Sequence, residues 1–131
     1  MKKLLITFVL LLTTLLTFSQ SPYYMRGKSF QMGEKDTSGK ITWDSKLITD
    51  CDILIKLDDK QVTVYSKVTQ QYQVISYDGK MEDGASKWYC SDAKGKKCNI
   101  YLVPTDNLPG YISFMVEFSD LVWFYICKPS N

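Results

Sequence analysis

The side chains able to do chemistry are few. The 131-residue sequence carries four cysteines (Cys51, Cys90, Cys98 and Cys127) and no histidine. Without imidazole, Ser-His-Asp and Cys-His nucleophile systems, histidine general bases and most zinc sites are excluded. A Cys₄ zinc site usually has two closely spaced cysteine pairs, and here only one pair is close in sequence. We therefore predict no metal and no cofactor.

Carboxylates are the remaining candidates for acid–base chemistry. Most aspartates stand in turn-forming stretches, where the carboxylate serves its own backbone: Asp58, Asp59, Asp78, Asp83, Asp92 and Asp120. Glu117 lies within a strand signal but is expected to face outward. It is the least implausible participant in a glycan-active enzyme, which would need two neighbouring carboxylates. We see no phosphate-cradling glycine loop and no dinucleotide fingerprint.

Tyrosines are the candidate binding residues. Tyr89 and Tyr101 are expected on one face of two paired strands, as diagonal neighbours, and Tyr65 or Tyr77 would extend them into an exposed platform. Tyrosine is favoured at contact sites because its ring is apolar and its tip is polar. Such a platform would take a sugar or a protein partner. The alternative is ordinary surface packing.

The N-terminus has the pattern of a secretory signal peptide. Lys2 and Lys3 precede an apolar run from Leu4 to Leu16, and small residues before Gln20 suit cleavage after Ser19. The run is shorter than the ~20 residues of a membrane-spanning helix. We predict a signal peptide over 1–19, a single domain over 20–131, a secreted or periplasmic location, and no stable membrane insertion after cleavage. A permanent N-terminal anchor is the alternative.

Charge and cysteine content fit this location. Without Lys2 and Lys3 the chain has 14 basic and 14 acidic residues, compared with 16 and 14 in the full sequence. A neutral domain has no electrostatic reason to bind nucleic acid or anionic lipid. An even number of cysteines in an exported protein predicts disulfide bonds.

The elements that must position these residues are short strands. From Cys51 to Cys127 six segments alternate apolar and polar residues at a spacing of about 8 to 12 residues, and one or two weaker signals (29–32 and 41–43) precede them. Short connections indicate an antiparallel meander. We predict an all-β fold of about 6–8 strands, a small barrel or a strongly curled sheet or sandwich. Closure would protect the sheet edges.

The register of one hairpin follows from its turn. The stretch Asp92-Ala93-Lys94-Gly95 fits a type I turn followed by a left-handed glycine. Cys90 then faces Cys98, and Trp88 faces Ile100. Facing positions permit a Cys90–Cys98 disulfide, although this pair is of the wider, hydrogen-bonded kind. Two buried thiols, or bridges to the other cysteines, remain alternatives.

A second hairpin turns at Ser119-Asp120. Its register sets Phe114 against Tyr125 and Ile112 against Cys127, and both of its faces are apolar. A strand pair of this kind is usually covered on both sides, here by the N-terminal segment or a partner. A Cys51–Cys127 bridge would link the first strong strand to the last, but four cysteines allow three pairings.

Three stretches carry a resemblance. Residues 64–75, 87–100 and 116–125, with the motif Cys-x-Asp-x-x-Gly-x-x-Cys at 90–98, resemble an uncharacterised family of short secreted proteins of Bacteroidetes-type bacteria. The resemblance extends over about residues 50 to 127. It implies a signal peptide followed by a small β domain, and no catalytic residues.

These observations favour a non-enzymatic exported binding or interaction module. Its partner would be a protein, a glycan or a small apolar ligand. A small secreted glycan-active enzyme and a structural subunit of a surface assembly are the alternatives. Two nearby inward carboxylates would favour the enzyme, and an uncovered apolar face on the second hairpin would favour the subunit.

Overall fold

Nine antiparallel strands make up the fold. The computed structural model describes residues 22–105 and 107–130, so the predicted signal peptide, 1–19, lies outside the described residues. The strands are β1 (Tyr23–Lys35), β2 (Ile41–Trp43), β3 (Ile53–Leu57), β4 (Gln61–Tyr65), β5 (Gln70–Lys80), β6 (Ser86–Asp92), β7 (Lys97–Pro104), β8 (Ile112–Glu117) and β9 (Leu121–Pro129). Within these described ranges no helix is long and apolar enough to cross a membrane.

Eight of the strands close into a barrel. β3 to β9 follow one another as a meander, and β1 pairs with β3 along one edge and with β9 along the other. β2 is a short extra strand on the second half of β1. The predicted all-β antiparallel fold is therefore confirmed, in its barrel form. Because β1 closes the ring, neither the first nor the last strand leaves a free edge along its paired length.

β1 is much longer than the sequence signal suggested. We expected only a short strand over 29–32, whereas β1 has 13 residues. Its alternation is interrupted by a bulge between Gly27 and Ser29 and by two glycines. The glycines are needed for packing: a Cβ on Gly27 would lie 3.4 Å from the Tyr125 ring, and one on Gly33 would lie 2.7 Å from Ile41. Close packing therefore requires glycine at two positions where an apolar side chain would have indicated a strand.

The barrel interior is filled. Its inward side chains include eight that are buried essentially completely: Met25, Ile55, Val62, Val64, Ile100, Phe114, Val116 and Tyr125. Aromatic rings pack against each other there, with Phe114 and Tyr125 centroids 5.7 Å apart. An eight-stranded barrel is just wide enough for side chains to fill it or to hold one small ligand. In this chain side chains occupy the centre, so room for a ligand remains at the ends.

Both predicted hairpin registers are confirmed. Cys90 pairs with Cys98, and Trp88 pairs with Ile100. The Asp92 amide donates to the Lys96 carbonyl at 2.8 Å, and Gly95 has φ 87°, as the left-handed position of this turn requires. In the second hairpin β8 and β9 pair in the predicted register.

β5 departs from the expected pattern at two bulges. Strict alternation over 70–77 predicts that Tyr77 lies on the face opposite Val74, and this prediction is wrong. A bulge at Ile75 shifts the register, so Tyr77 pairs with Trp88, and their rings lie 5.1 Å apart. A second irregularity falls at Asp78, which makes Asp78-Gly79 part of β5 rather than a turn. The turn lies farther along the chain, where the Gly84 amide donates to the Met81 carbonyl.

The outer apolar face of the second hairpin is partly covered by β2. Trp43 packs edge-on against Phe124, with centroids 5.8 Å apart. Val122, which also points outward, is completely buried. Part of the N-terminal segment, one of the two covers considered for this face, therefore lies on it.

Candidate ligand site at the barrel mouth

One end of the barrel opens into a hollow of about 420 Å³, here called the mouth pocket. Three connections surround it: residues 66–69 between β4 and β5, 93–96 between β6 and β7, and 119–120 between β8 and β9. Its apolar lining comprises Val68, Tyr72, Ala93, Phe118, Leu121 and Trp123, and its polar lining comprises Thr69, Gln70, Gln71, Asp92, Lys94 and Lys96. The pocket therefore combines strand ends with loop residues.

Aromatic rings form the base of the mouth pocket. Tyr72 and Phe118 are almost completely buried, and their ring centroids are 6.4 Å apart. Trp123 lies at one side and stacks on Phe30 at 5.3 Å. The Tyr72 hydroxyl donates to the Gln70 side-chain oxygen at 2.7 Å. These contacts hold the rings in place, so the base is preorganised for a flat apolar group.

Charges at the rim differ in whether they have partners. Lys96 Nζ lies 2.9 Å from Asp120 Oδ1 and 5.0 Å from the centre of the Phe118 ring. This hydrogen bond lowers the pKa of the Asp120 carboxyl. Asp92 accepts from the Lys94 and Lys96 amides, so its carboxylate serves the turn. Among the described residues the Lys94 ammonium has no carboxylate within salt-bridge distance.

A smaller hollow of about 350 Å³ lies at the opposite end of the barrel. Tyr23, Leu57, Trp88 and Leu102 line it together with two aspartates of the β3–β4 turn. One of these, Asp58, accepts from the Lys60 and Gln61 amides and so serves the turn. The mouth pocket is the larger of the two and has the more extensive aromatic base.

The structure does not bring the four predicted tyrosines together. Tyr89 and Tyr101 lie on the outer wall, as expected, and both are half-buried. Tyr65 is 46% exposed at the end of β4, and Tyr77 is 56% exposed at the other end of the barrel, beside Trp88. The bulge at Ile75 is what turns Tyr77 away from the outer wall.

Tyr101 belongs to a small polar cluster on that wall. Its hydroxyl donates to Glu117 Oε1 at 3.5 Å, and Lys35 Nζ lies 3.4 Å from Glu117 Oε2. Burial, followed by the nearby Glu117 carboxylate, raises the pKa of Tyr101. Glu117 thus faces outward, as predicted, and ties β8 to the end of β1. This contact has a structural explanation and does not point to catalysis.

All four cysteines lie within the described part of the chain, and the predicted Cys90–Cys98 and Cys51–Cys127 disulfides are not seen in this structure. Three are buried and Cys51 is partly buried. Burial raises the pKa of Cys90 to about 11 and that of Cys98 and Cys127 to about 12. Within residues 22–105 and 107–130 no cluster of Cys, Asp and Glu has the arrangement of a metal site.

Sequence reasoning missed the mouth pocket. The sequence pattern predicts core positions for Tyr72 and Trp123 and places Phe118 and Leu121 at the ends of a hairpin, but it does not link residue 72 to residues 118–123. The signal that bears on it is local: Phe118 and Leu121 flank a two-residue turn, which leaves large apolar side chains at a barrel end. Recognising their convergence with Tyr72 requires the closed barrel.

Comparisons with known proteins add no assignment. No protein-family model matches this sequence, and neither the curated proteins nor the solved structures gave a significant match.

Proposed function

We propose that this chain is an exported, non-enzymatic binding module whose mouth pocket takes a small, flat, largely apolar molecule with one anionic end. The observation that carries the proposal is the aromatic base at the open end of an otherwise filled barrel. Tyr72 and Phe118 form this base, and Trp123 stands beside it. Aromatic side chains of this kind bind flat apolar groups by burial and ring packing.

Size supports a small-molecule ligand. The pocket volume of about 420 Å³ is within the range of about 300–1,000 Å³ for small-molecule sites. Its lining also follows their usual composition, in which apolar and aromatic surface predominates and a few polar groups fix orientation. Gln70 and Thr69 are placed to supply such polar contacts at the side.

The position of Lys94 supports the proposal that one end of the ligand is anionic. It lines the rim of the pocket and, among the described residues, has no acidic partner. Lys96 is already paired with Asp120. An anionic group entering beside Lys94 would therefore gain a charge contact without breaking an existing one. Because Lys94 is exposed, water and salt screen this contribution.

Export is part of the same proposal. It is supported by the basic and apolar residues of 1–16 and by the cysteine content, and it fits the resemblance to short secreted Bacteroidetes-type proteins. Mass measurement of the protein recovered from its host should give a chain that begins at Gln20. A protein retained with residues 1–19 in the membrane would instead support the permanent anchor.

Two fluorescent probes that differ by a single charge test the ligand class. Anilinonaphthalene sulfonate carries a sulfonate, and phenylnaphthylamine has the same rings without it. Both should bind the folded protein, and Leu121→Ala should weaken both. Lys94→Gln should weaken only the sulfonate by about fivefold, the equivalent of ~1 kcal/mol. Ile75→Glu is the matched control, because Ile75 is half-exposed but lies outside the mouth pocket.

The probe measurements test the pocket and the anionic preference separately. Probe binding unchanged in Leu121→Ala, or absent from wild-type protein with a cooperative unfolding transition, would refute the pocket assignment. Equal weakening of both probes by Lys94→Gln would refute the anionic preference alone. Cooperative unfolding must be checked for each variant, because partly folded proteins also bind the sulfonate probe.

A further inference from the structure

The four cysteines fall into two spatial pairs. We infer that Cys90–Cys98 and Cys51–Cys127 are the two disulfides of the oxidised protein, and that the first forms without a change in strand register. The inference concerns how the barrel is cross-linked and does not depend on the proposed ligand. It reduces the three pairings that the sequence allows to one.

Cys90 and Cys98 face each other across β6 and β7. They are register partners, and both point into the barrel. The turn contact between the Asp92 amide and the Lys96 carbonyl makes this a hydrogen-bonded pair. Such pairs have Cα atoms about 5.5 Å apart, and disulfides commonly join Cα atoms about 4.4–6.8 Å apart. The distance therefore suits a bridge within one hairpin.

Cys51 and Cys127 lie on opposite sides of β1, both close to Gly27. Gly27 is the register partner of Cys127, and the Cys51 thiol lies 3.5 Å from the Gly27 carbonyl oxygen. The Cys51 amide points at the neighbouring Lys28 carbonyl, also at 3.5 Å. The influence of Cys51 on the pKa of Cys127 is a second sign of their proximity.

The alternative pairings are excluded by distance along the barrel. Asn99, next to Cys98, pairs with Glu117 at one end of β8, and Cys127 pairs with Ile112 at the other. Five residues separate these positions, about 17 Å at ~3.4 Å per residue. A disulfide cannot join Cα atoms more than about 7 Å apart. Since Cys90 lies beside Cys98, a Cys90–Cys127 bridge is excluded in the same way.

Each bridge is a two-electron oxidation. Two S–H bonds break, one S–S bond forms, two protons leave, and two electrons reduce an external disulfide oxidant such as oxidised glutathione to two thiols. The attacking species is a thiolate. Burial raises the pKa of Cys98 and Cys127 to about 12, so the folded reduced barrel reacts slowly near neutral pH. Efficient bridging therefore has to occur while the chain folds.

The two bridges would constrain different parts of the fold. Cys90–Cys98 joins strands already linked by a short turn. Cys51–Cys127 joins the segment before β3 to β9 across β1, at the place where the barrel closes. Longer closed loops generally lose more unfolded-state entropy. The second bridge should therefore raise the thermal midpoint more than the first.

Peptide mapping of protein refolded with a glutathione redox mixture tests the pairing. Residual thiols are alkylated under denaturing conditions, so that buried cysteines also react, and the unreduced digest is analysed by mass spectrometry. We expect linked peptides for 90–98 and 51–127 and no alkylated cysteine. Linked peptides for 98–127, 90–127, 51–90 or 51–98 would overturn the inference. A map with only one expected bridge would overturn the assignment of the other pair.

Paired variants provide the matched controls. C51S/C127S should retain the 90–98 bridge, and C90S/C98S should retain the 51–127 bridge. In C51S/C90S the remaining two thiols lie far apart, so both should be alkylated after the same treatment. If that variant forms an intramolecular bridge while it keeps a cooperative unfolding transition, the spatial argument is wrong. Four alkylated thiols in oxidatively refolded wild-type protein would also refute it.

Discussion

The contact between β2 and β1 makes Gly33→Ala an informative perturbation. A Cβ at this position would lie 2.7 Å from Ile41 Cγ2 and 2.9 Å from the Trp43 ring. Both distances are shorter than real Cβ contacts, so β2 must move. Overpacking of this kind typically costs about 1–3 kcal/mol, whereas replacing a strand glycine by alanine returns about 0.5–1 kcal/mol. We expect a net loss of stability of about 0.5–2 kcal/mol.

A double-mutant cycle with Ile41→Ala isolates the contact. That change removes the methyl group nearest the new Cβ, so Gly33→Ala should cost less in the Ile41→Ala background than in wild type. Urea unfolding followed by tryptophan fluorescence gives the four free energies, and their coupling should exceed ~0.5 kcal/mol. If Gly33→Ala is as stabilising as its strand propensity predicts, β2 does not pack on β1 as described. Additive effects would refute the role of Ile41.

Three further predictions concern stability. Glu117→Gln removes the charged partner of Lys35 in a pair that is about four-fifths shielded from water. The free energy of unfolding, measured with urea, should fall by about 1 kcal/mol, and by less at high salt. Gly95→Ala forces a side chain into φ 87° and should cost about 1–2 kcal/mol, whereas Gly95→Asn should cost less; thermal unfolding of the two variants compares them. Burial raises the pKa of Tyr72 and Tyr125 above their ordinary value of 10.0, so the unfolded chain loses these protons first. In the oxidised protein, whose cysteines do not titrate, these tyrosines should therefore leave the free energy of unfolding constant between about pH 7 and 9 and lower it above about pH 10, which urea midpoints across that range would check.

Local pattern was enough to predict part of the fold. The registers of the two hairpins followed from Asp92-x-x-Gly95 and Ser119-Asp120, because a tight turn fixes which residues face each other. Regular apolar alternation and short connections then indicated a meander. In these segments the side-chain period, the turn residues and the final packing agree, so sequence reasoning and structure coincide.

The prediction failed where packing overrode the pattern. The sequence predicted only residues 29–32 of β1, because Gly27 and Gly33 stand where apolar residues would indicate a strand. Both positions are occupied by glycine, and neighbouring side chains pack over them. The bulge at Ile75 reversed the face expected for Tyr77. Bulges and close approaches of this kind depend on the neighbouring strands, which a single sequence does not display.

The filled core determines which residues the proposed ligand would contact. Phe114 and Tyr125 occupy the centre, so a bound molecule would contact the mouth residues without entering the interior. Several mouth residues, such as Val68 and Lys94, are exposed and lie on connections between strands. Substitutions there should alter the ligand with little effect on the free energy of unfolding, because exposed positions usually contribute less than about 0.5 kcal/mol. Tyr72 and Phe118 differ, since each is both pocket base and core. Any variant at these two positions should therefore change binding and stability together, and this coupling distinguishes a pocket built on the core from a patch lying on the outer wall.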